Sequence, residues 1–245
     1  MEKISVTIIT LNEEKNIERC LESLRWADEI VVADSFSSDA TVEICRRFTD
    51  RVFQEQWRGY GGQKNFCASK ASHRWILNVD ADEVVPPATA QAIRRLLAEP
   101  GAHAVYELPR KNHFGGRWVR YGGWYPDRIA RLYDRDRAAF SDWPVHERLE
   151  GPGRPGRIDA PLLHYSYGGM EDYVARQNRY STLFAEDRRA RGWRAGGAHI
   201  YLRPLWAFVR TYFLRQGLRE GFLGFFLSAG AAYYTYLKYA KTRWP

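Results

Sequence analysis

A chain of 245 residues, 45% hydrophobic and 27% charged, can bury one sizeable core and is too apolar for wholesale disorder. Its net charge of +8 points to an anionic partner: nucleic acid, acidic lipid or a phosphorylated substrate. Cys20, Cys45 and Cys67 are odd in number and widely spaced, with no C-x-x-C, which argues against a disulfide framework or zinc site and for a reducing compartment. The apolar run in MEKISVTIIT is short for a signal peptide, so a cytoplasmic location is expected.

The β-branched run ISVTIIT predicts a buried parallel strand. NEEKNIERCLESLRW follows with Ile17, Cys20, Leu21 and Leu24 at helical spacing. EIVVAD predicts a second buried strand and SSDATVEICRRF a helix with Ser/Asp capping chemistry. RVFQE predicts a short third strand, residues 60–72 a helix, RWILNVDADE a fourth strand, and PPATAQAIRRLLAE a helix opened by proline. This alternation predicts an α/β fold, an open and mostly parallel sheet with helices on both faces. Ligands of such sheets bind beyond the carboxyl ends of the strands. Three strands end there in polar groups: Thr10-Leu11-Asn12-Glu13, Asp34-Ser35 and Asp80-Ala81-Asp82.

The stretch ILNVDADEVV places Asp80, Asp82 and Glu83 within four positions. A solvated turn would explain this crowding. So would a divalent cation, since close carboxylates repel until a proton or metal resolves them, and oxygen ligands suit Mg²⁺ or Mn²⁺. The convergence of three polar strand ends favours the cation. A metal there would bridge diphosphate oxygens and stabilise a leaving group, with Lys64 of GGQKN as a further positive charge.

From about residue 103 the chain becomes loop-rich, with short strands in AVYELPRKNHFGGRWV and IARLYDRDRAAF, and EGPGRPGR reads as a plain loop. EDYVARQNRYSTLFAEDRRARG predicts an amphipathic helix. Leu202, Leu205, Trp206, Val209 and Phe213 share one helical stripe, and residues 222–237 carry no charge, a run short of the ~20 residues a spanning helix needs. Basic and aromatic flanks favour an interfacial anchor on an anionic membrane surface; packing on the domain is the alternative.

VTIITLNEEKNIERCLESL, EIVVADSFSSDATVEI, QKNFCAS and WILNVDADE together resemble family 2 glycosyltransferases of the GT-A fold. WYPDRIARLY, PVHERL and LLHYSYGGMEDYVARQNRYS resemble the narrower group of bacterial lipopolysaccharide and lipooligosaccharide core β-1,4-glucosyltransferases. The resemblance implies a GT-A domain over residues 1–198, with a nucleotide-sugar half (1–100) and an acceptor half (101–198), and a membrane-associating tail over 199–245. It implies that Thr10, Asn12 and Glu13 line the nucleotide pocket, that Asp34 faces uracil, and that Lys64 contacts uracil or phosphate. Asp80, with Ala81 beside it, would lie near the ribose or donor sugar, and Asp82 would hold Mn²⁺ or Mg²⁺ through the diphosphate of a UDP-sugar.

The reaction implied is inverting transfer of a hexose, glucose from UDP-glucose, to a glycolipid or core oligosaccharide acceptor at the cytoplasmic face of the inner membrane. The wider family's Glu-Asp pair is missing where the base is expected, and PVHE stands there, so Glu147 is the candidate base, with His146 beside it and Asp142 as fallback. His164 is a candidate for the metal or phosphates, with a structural role as the alternative. Arg128 and Arg131 are candidates to grip donor phosphates or an anionic acceptor, or are simply solvated. Gln177-Asn178-Arg179-Tyr180 matches the Gln-x-x-Arg-Trp motif of processive polymerases poorly, which favours single addition. A nucleotidyltransferase would show a basic, Gly-rich first loop where TLNEEKN is acidic. A non-catalytic binding module is the other rival, and nucleic acid is not expected as a partner because the acidic rim would repel it.

Overall fold

The computed structural model describes residues 2–99, 101–141 and 147–244, so Asp142 and His146 lie outside the described residues. The chain forms two compact units, Met1–Arg110 with Arg128–His164, and Lys111–Asp127 with Tyr165–Pro245.

The first unit begins as the sequence predicts, with β1 (Ile4–Thr10), α1 (Ile17–Glu22), β2 (Glu29–Asp34), α2 (Thr41–Arg46), β3 (Val52–Gln54), α3 (Gly59–Ser69), β4 (Trp75–Asp80), β5 (Glu83–Val84) and α4 (Pro87–Ala98). β6 (Val105–Phe114), β7 (Arg117–Trp118), β8 (Asp127–Asp134), β9 (Ala139–Phe140), β10 (Leu149–Glu150), β11 (Gly156–Arg157) and β12 (Leu162–Tyr167) follow. The main sheet runs β3-β2-β1-β4-β8-β6-β12-β5. β1 is parallel to both β2 and β4, and β8 then joins antiparallel to β4.

Each face of this sheet has its own core, which is why the first strands are apolar on successive residues. Ile4, Val6, Ile8, Leu77 and Val79 pack with Ile17, Leu21, Ile44, Ile93 and Leu97 of α1, α2 and α4. Val31, Ala33 and Ile76 pack on the other face with Cys67 and Ala68 of α3. Fully burying each large aliphatic side chain contributes about 1.5–3 kcal/mol before entropy is counted. All three cysteines are free and buried, and burial pushes the Cys45 and Cys67 thiols up to about 12, so they act as core residues.

Two helices are shorter than their sequence patterns. α1 does not begin at Asn12, because Asn12 adopts φ +54° and its side chain accepts from the Ser38 N–H at 2.8 Å. The Glu13 N–H likewise goes to Thr41 Oγ1 at 2.8 Å. α2 starts only at Thr41, because Asp39 spends its carboxylate on the Thr41 N–H and hydroxyl. Polar side chains here bond across two loops and win over the helix. EGPGRPGR is not a plain loop either. Gly156–Arg157 pairs in parallel with Tyr106–Glu107, and a Cβ at Gly156 would come within 2.5 Å of the Tyr106 ring, so glycine permits the pairing.

The second unit contains β7 paired with His113–Phe114, then α5 (Met170–Ala190), α6 (Gly197–Val209), a π-helical turn (Arg210–Leu214), a 3₁₀ turn (Gly217–Glu220) and α7 (Phe222–Arg243). The compact units do not divide at residue 198. α5 packs on the last helix: Lys241 Nζ donates to Asn178 O at 3.0 Å and to Ser181 Oγ at 2.9 Å, and the Phe184 and Tyr239 rings meet edge-on at 5.9 Å. The 3₁₀ turn lies against α7 so closely that a Cβ on Gly224 would stand 1.8 Å from Gly217 O. Among the described residues, no helix is long and apolar enough to cross a membrane.

Candidate active site

The register of the parallel strands brings the polar strand ends level. Thr10 pairs with Asp34, and Ile9 with Asp80, so β1, β2 and β4 finish on one rim. At the first two ends, Thr10 is buried and its Oγ1 has no hydrogen-bond partner among the described residues. Asp34 is fully buried and accepts from the Ser37 N–H at 2.9 Å, from the Ser37 hydroxyl and from Gln54 Nε2 at 3.4 Å. Asn12 joins its own loop to the next through Ser37 Oγ and the Ser38 N–H, and Glu13 Oε2 accepts from Asn16 Nδ2 at 2.9 Å. Asp34 and Asn12 therefore brace the loops that follow β1 and β2.

Phe36 and Leu11 stand exposed on the same two loops. Phe36 adopts φ +63° and is 56% exposed, and Leu11 is 51% exposed. A bulky residue held in the left-handed region with its ring in solvent is costly, and strain of this kind clusters at functional sites. The signal in sequence was an aromatic inside the polar run DSFSSD.

The QKN of α3 ties three surroundings together. Gln63 Nε2 donates to Ser35 Oγ at 3.1 Å, and Asn65 exchanges two hydrogen bonds with the Phe140 backbone, as a strand would. Lys64, between them, is buried and donates to Glu147 Oε1 at 2.8 Å, with Asp80 Oδ1 3.8 Å away. Glu147 is held there by the β9–β10 pair, in which Leu149 faces Phe140 and the Arg148 carbonyl accepts from the Ser141 N–H at 2.8 Å. Gly61 admits this arrangement, since a Cβ on it would stand 2.0 Å from Ser141 O.

The crowded carboxylates are resolved separately. The β8 register, Leu132 opposite Leu77, brings Arg131 level with Asn78. Its buried guanidinium donates to Asn78 Oδ1 at 2.9 Å, to both oxygens of Asp80, and to Glu83 Oε1 at 2.8 Å. Glu83, wholly buried, also accepts from the Asp80 N–H at 3.0 Å and lies 3.5 Å from Arg110. Burial works to raise the Asp80 pKa, but the charges of Arg131 and Lys64 and the Arg131 hydrogen bonds outweigh it. The carboxyl is held well below the usual range. Burial would likewise lower the Arg131 pKa, and Asp80 and Glu83 reverse that and raise it. The stability Asp80 contributes is therefore complete above an unfolded pKa of about 3.9, and is lost only as pH falls toward the depressed folded value.

Asp80, Glu83 and Glu147 thus meet Lys64, Arg110 and Arg131, and the charges balance. Asp82 stands apart, its Oδ2 3.4 Å from His164 Nε2. β12 pairs antiparallel with β5, His164 opposite Glu83, which brings the imidazole to Asp82. Among the described residues, no three His, Cys, Asp or Glu side chains gather into a metal cage. Asp82, with His164 beside it, could hold an Mg²⁺ or Mn²⁺ ion, because such ions are bound through one or two carboxylates with substrate phosphates completing the shell. Ala81 is buried in the turn between the two aspartates. Arg128 is not drawn into the cluster; its guanidinium bonds Asp159 at 2.5 Å. Glu83, Asn78 and Arg110 are the members of the cluster that sequence reasoning left without a role.

The model of glycosyl transferase family 2 matches residues 5–150. The chain belongs to that family, and with its open sheet and acidic rim it is a glycosyltransferase of the GT-A fold. It is 33% identical to the lipopolysaccharide core biosynthesis glycosyltransferase LpsC of Rhizobium meliloti (strain 1021), over 97% of this chain and 91% of LpsC. An uncharacterized glycosyltransferase of Rickettsia felis (strain ATCC VR-1525 / URRWXCal2) is 30% identical over 99% of this chain and 90% of its own length. The mannosyltransferase PcManGT of Pyrobaculum calidifontis, solved with GDP-Man and Mn²⁺, shares the fold with a TM-score of 0.59 at 16% identity, over 99% of this chain and 87% of that one.

Proposed function

We propose that the chain transfers a hexose, glucose from UDP-glucose, with inversion and with Mn²⁺ or Mg²⁺, onto a lipopolysaccharide core acceptor at a membrane surface. The observation that carries this reading is the charge balance at the rim, which leaves Asp82 beside His164 once every other carboxylate of the cluster has a cationic partner. A divalent cation on that pair would neutralise charge on the departing diphosphate. Likeness to LpsC, whose name gives lipopolysaccharide core biosynthesis, supports the acceptor class.

The chain's own residues supply the rest. Leu11 and Phe36, both exposed, offer apolar surface to the nucleotide at the ends of β1 and β2. Asp80, clamped by Arg131 and Lys64, presents a fixed carboxylate to ribose or sugar hydroxyls. Lys64 holds Glu147 Oε1, and Oε2 takes the proton of the acceptor hydroxyl. As that proton leaves, the hydroxyl oxygen bonds the anomeric carbon from one face. The bond to the diphosphate oxygen breaks on the other, its electron pair leaving with the nucleotide. The configuration inverts.

The test is direct transfer. Core oligosaccharide incubated with UDP-glucose and Mn²⁺ should gain one hexose with inverted anomeric configuration, by mass and NMR. Retained configuration, or no product with any nucleotide sugar, contradicts the reading.

The membrane assignment rests on the second unit. Tyr201, Leu202, Leu205, Trp206, Phe213, Leu214 and Phe222 are all more than half exposed, and Arg203, Arg210, Arg215 and Arg219 are interspersed with them. Such a surface suits in-plane docking on anionic lipid. The full chain carrying Leu205→Glu and Trp206→Glu is expected to lose sedimentation with phosphatidylglycerol vesicles while keeping its circular dichroism. Unchanged sedimentation removes the assignment.

A further inference from the structure

The second unit carries a cationic groove of about 640 Å³, of a size with small-molecule sites, that the transfer chemistry above does not use. One wall comes from the loop after β7, with Trp118, Arg120, Tyr121 and Tyr125, and the other from the end of the π turn, with Arg215 and Gln216. The walls are tied together. The Gly122 N–H donates to Arg215 O at 2.8 Å, and the Arg215 side chain lies where a Cβ on Gly123 would be, 2.3 Å from its Nη1. Glu220, buried, accepts from the backbone N–H groups of Arg120 at 2.8 Å and Tyr121 at 3.1 Å, and from Arg117 Nη2 at 2.9 Å.

The electrostatics of the groove are one-sided. Glu220 is spent on Arg117 and two backbone donors, and no carboxylate is among the described residues that line the cavity. Arg120 and Arg215 have no acidic partner among the described residues, whereas Arg176 and Arg191 of the same unit do. The Arg120 guanidinium lies 4.2 Å from the Trp118 ring centroid and the Lys111 ammonium 4.5 Å from it. The ring thus holds positive charge in place without neutralising it. The Trp118 and Tyr125 rings meet at 88°, which leaves no parallel slot for a flat base.

We propose that this groove binds an anionic saccharide, a sugar unit carrying phosphate or carboxylate, as part of the acceptor. Two guanidinium forks match the geometry of such groups. The phenolic hydroxyls of Tyr121 and Tyr125 and the Gln216 amide nitrogen serve sugar hydroxyls. Leu214, on the groove wall, belongs to the exposed apolar surface described above, so the groove adjoins the face assigned to lipid. The acceptor role rests on the proposed transfer reaction; the binding step does not.

The experiment is calorimetric titration of the full chain, without nucleotide or metal, with phosphorylated core oligosaccharide freed of lipid. Parallel arms use the same oligosaccharide after phosphatase, uridine monophosphate, and phosphatidylglycerol vesicles. The phosphorylated oligosaccharide is expected to bind at least ~10-fold more tightly than the treated one, a tenfold change being about 1.4 kcal/mol. Arg120→Gln with Arg215→Gln is expected to remove that preference. Equal affinity before and after phosphatase overturns the proposal, and that arm uses the unmutated chain whatever the variant's stability. So does a variant that keeps the preference, one that loses only vesicle binding, which assigns the groove to a lipid headgroup, or tighter binding of uridine monophosphate. Because no donor is present, failure here and failure of the transfer reaction are seen separately.

Discussion

Glu147→Gln is expected to lower kcat by about 10²–10⁴-fold, the usual contribution of a positioned general base, with little change in donor KM. The substitution keeps shape and leaves an oxygen to accept from Lys64 Nζ, now 2.8 Å from Oε1, so the ion cluster loses a charge but not its geometry. What disappears is the capacity to take a proton. The checking measurement is initial-rate transfer with donor and acceptor varied. A variant that turns over at the parent rate shows that Glu147 only anchors Lys64. A rise in donor KM at constant kcat says the same.

Asp82→Ala is expected to abolish metal-dependent donor binding and to reduce turnover by at least ~10²-fold, since charge neutralisation by a bound cation is worth several kcal/mol. The fold should survive, because the fixed ion pairs of the cluster belong to Asp80, Glu83 and Glu147, and among the described residues Asp82 is ion-paired with His164 alone. Removing Asp80 strands the buried Arg131 with half its acceptors, so Asp80→Ala would lower Tm as well as activity. Two aspartates separated by one residue thus have different failure modes. Metal-dependent turnover retained in a folded Asp82→Ala protein contradicts the assignment.

The rim was legible in sequence because parallel strands do little more than continue. ISVTIIT, EIVVAD and WILNVD are buried on both faces, and their shared direction fixes Thr10, Asp34 and Asp80 at one level. Their neighbours across the sheet were not legible. Lys64 meets Glu147 across 83 positions, and Arg131 meets Glu83 across 48, and a long-range ion pair leaves no periodic trace. Arg131, in IARLYD, therefore read as a phosphate-gripping or solvated arginine, though most of its guanidinium hydrogen-bonding capacity is spent inside the protein. Local polar competition hid the true starts of α1 and α2, and a glycine against the Tyr106 ring hid β11. The stretch DADE read as a cation site or a solvated turn, and that Lys64 and Arg131 meet Asp80, Glu83 and Glu147 was not visible in it, because those partners are distant in sequence.

The most direct test of the account is the thermal unfolding midpoint of the unmutated protein with UDP-, GDP-, ADP- and CMP-sugars, each in Mn²⁺ and in EDTA. Ligand at 100 times its Kd stabilises the folded state by about 2.7 kcal/mol, so a binding donor raises Tm by several degrees. A rise is expected with a UDP-sugar and Mn²⁺ together, and none with Mn²⁺ alone or with the donor in EDTA, because Asp82 and His164 would supply too few ligands without the diphosphate. An equal rise in EDTA, or no rise with any donor, would contradict it.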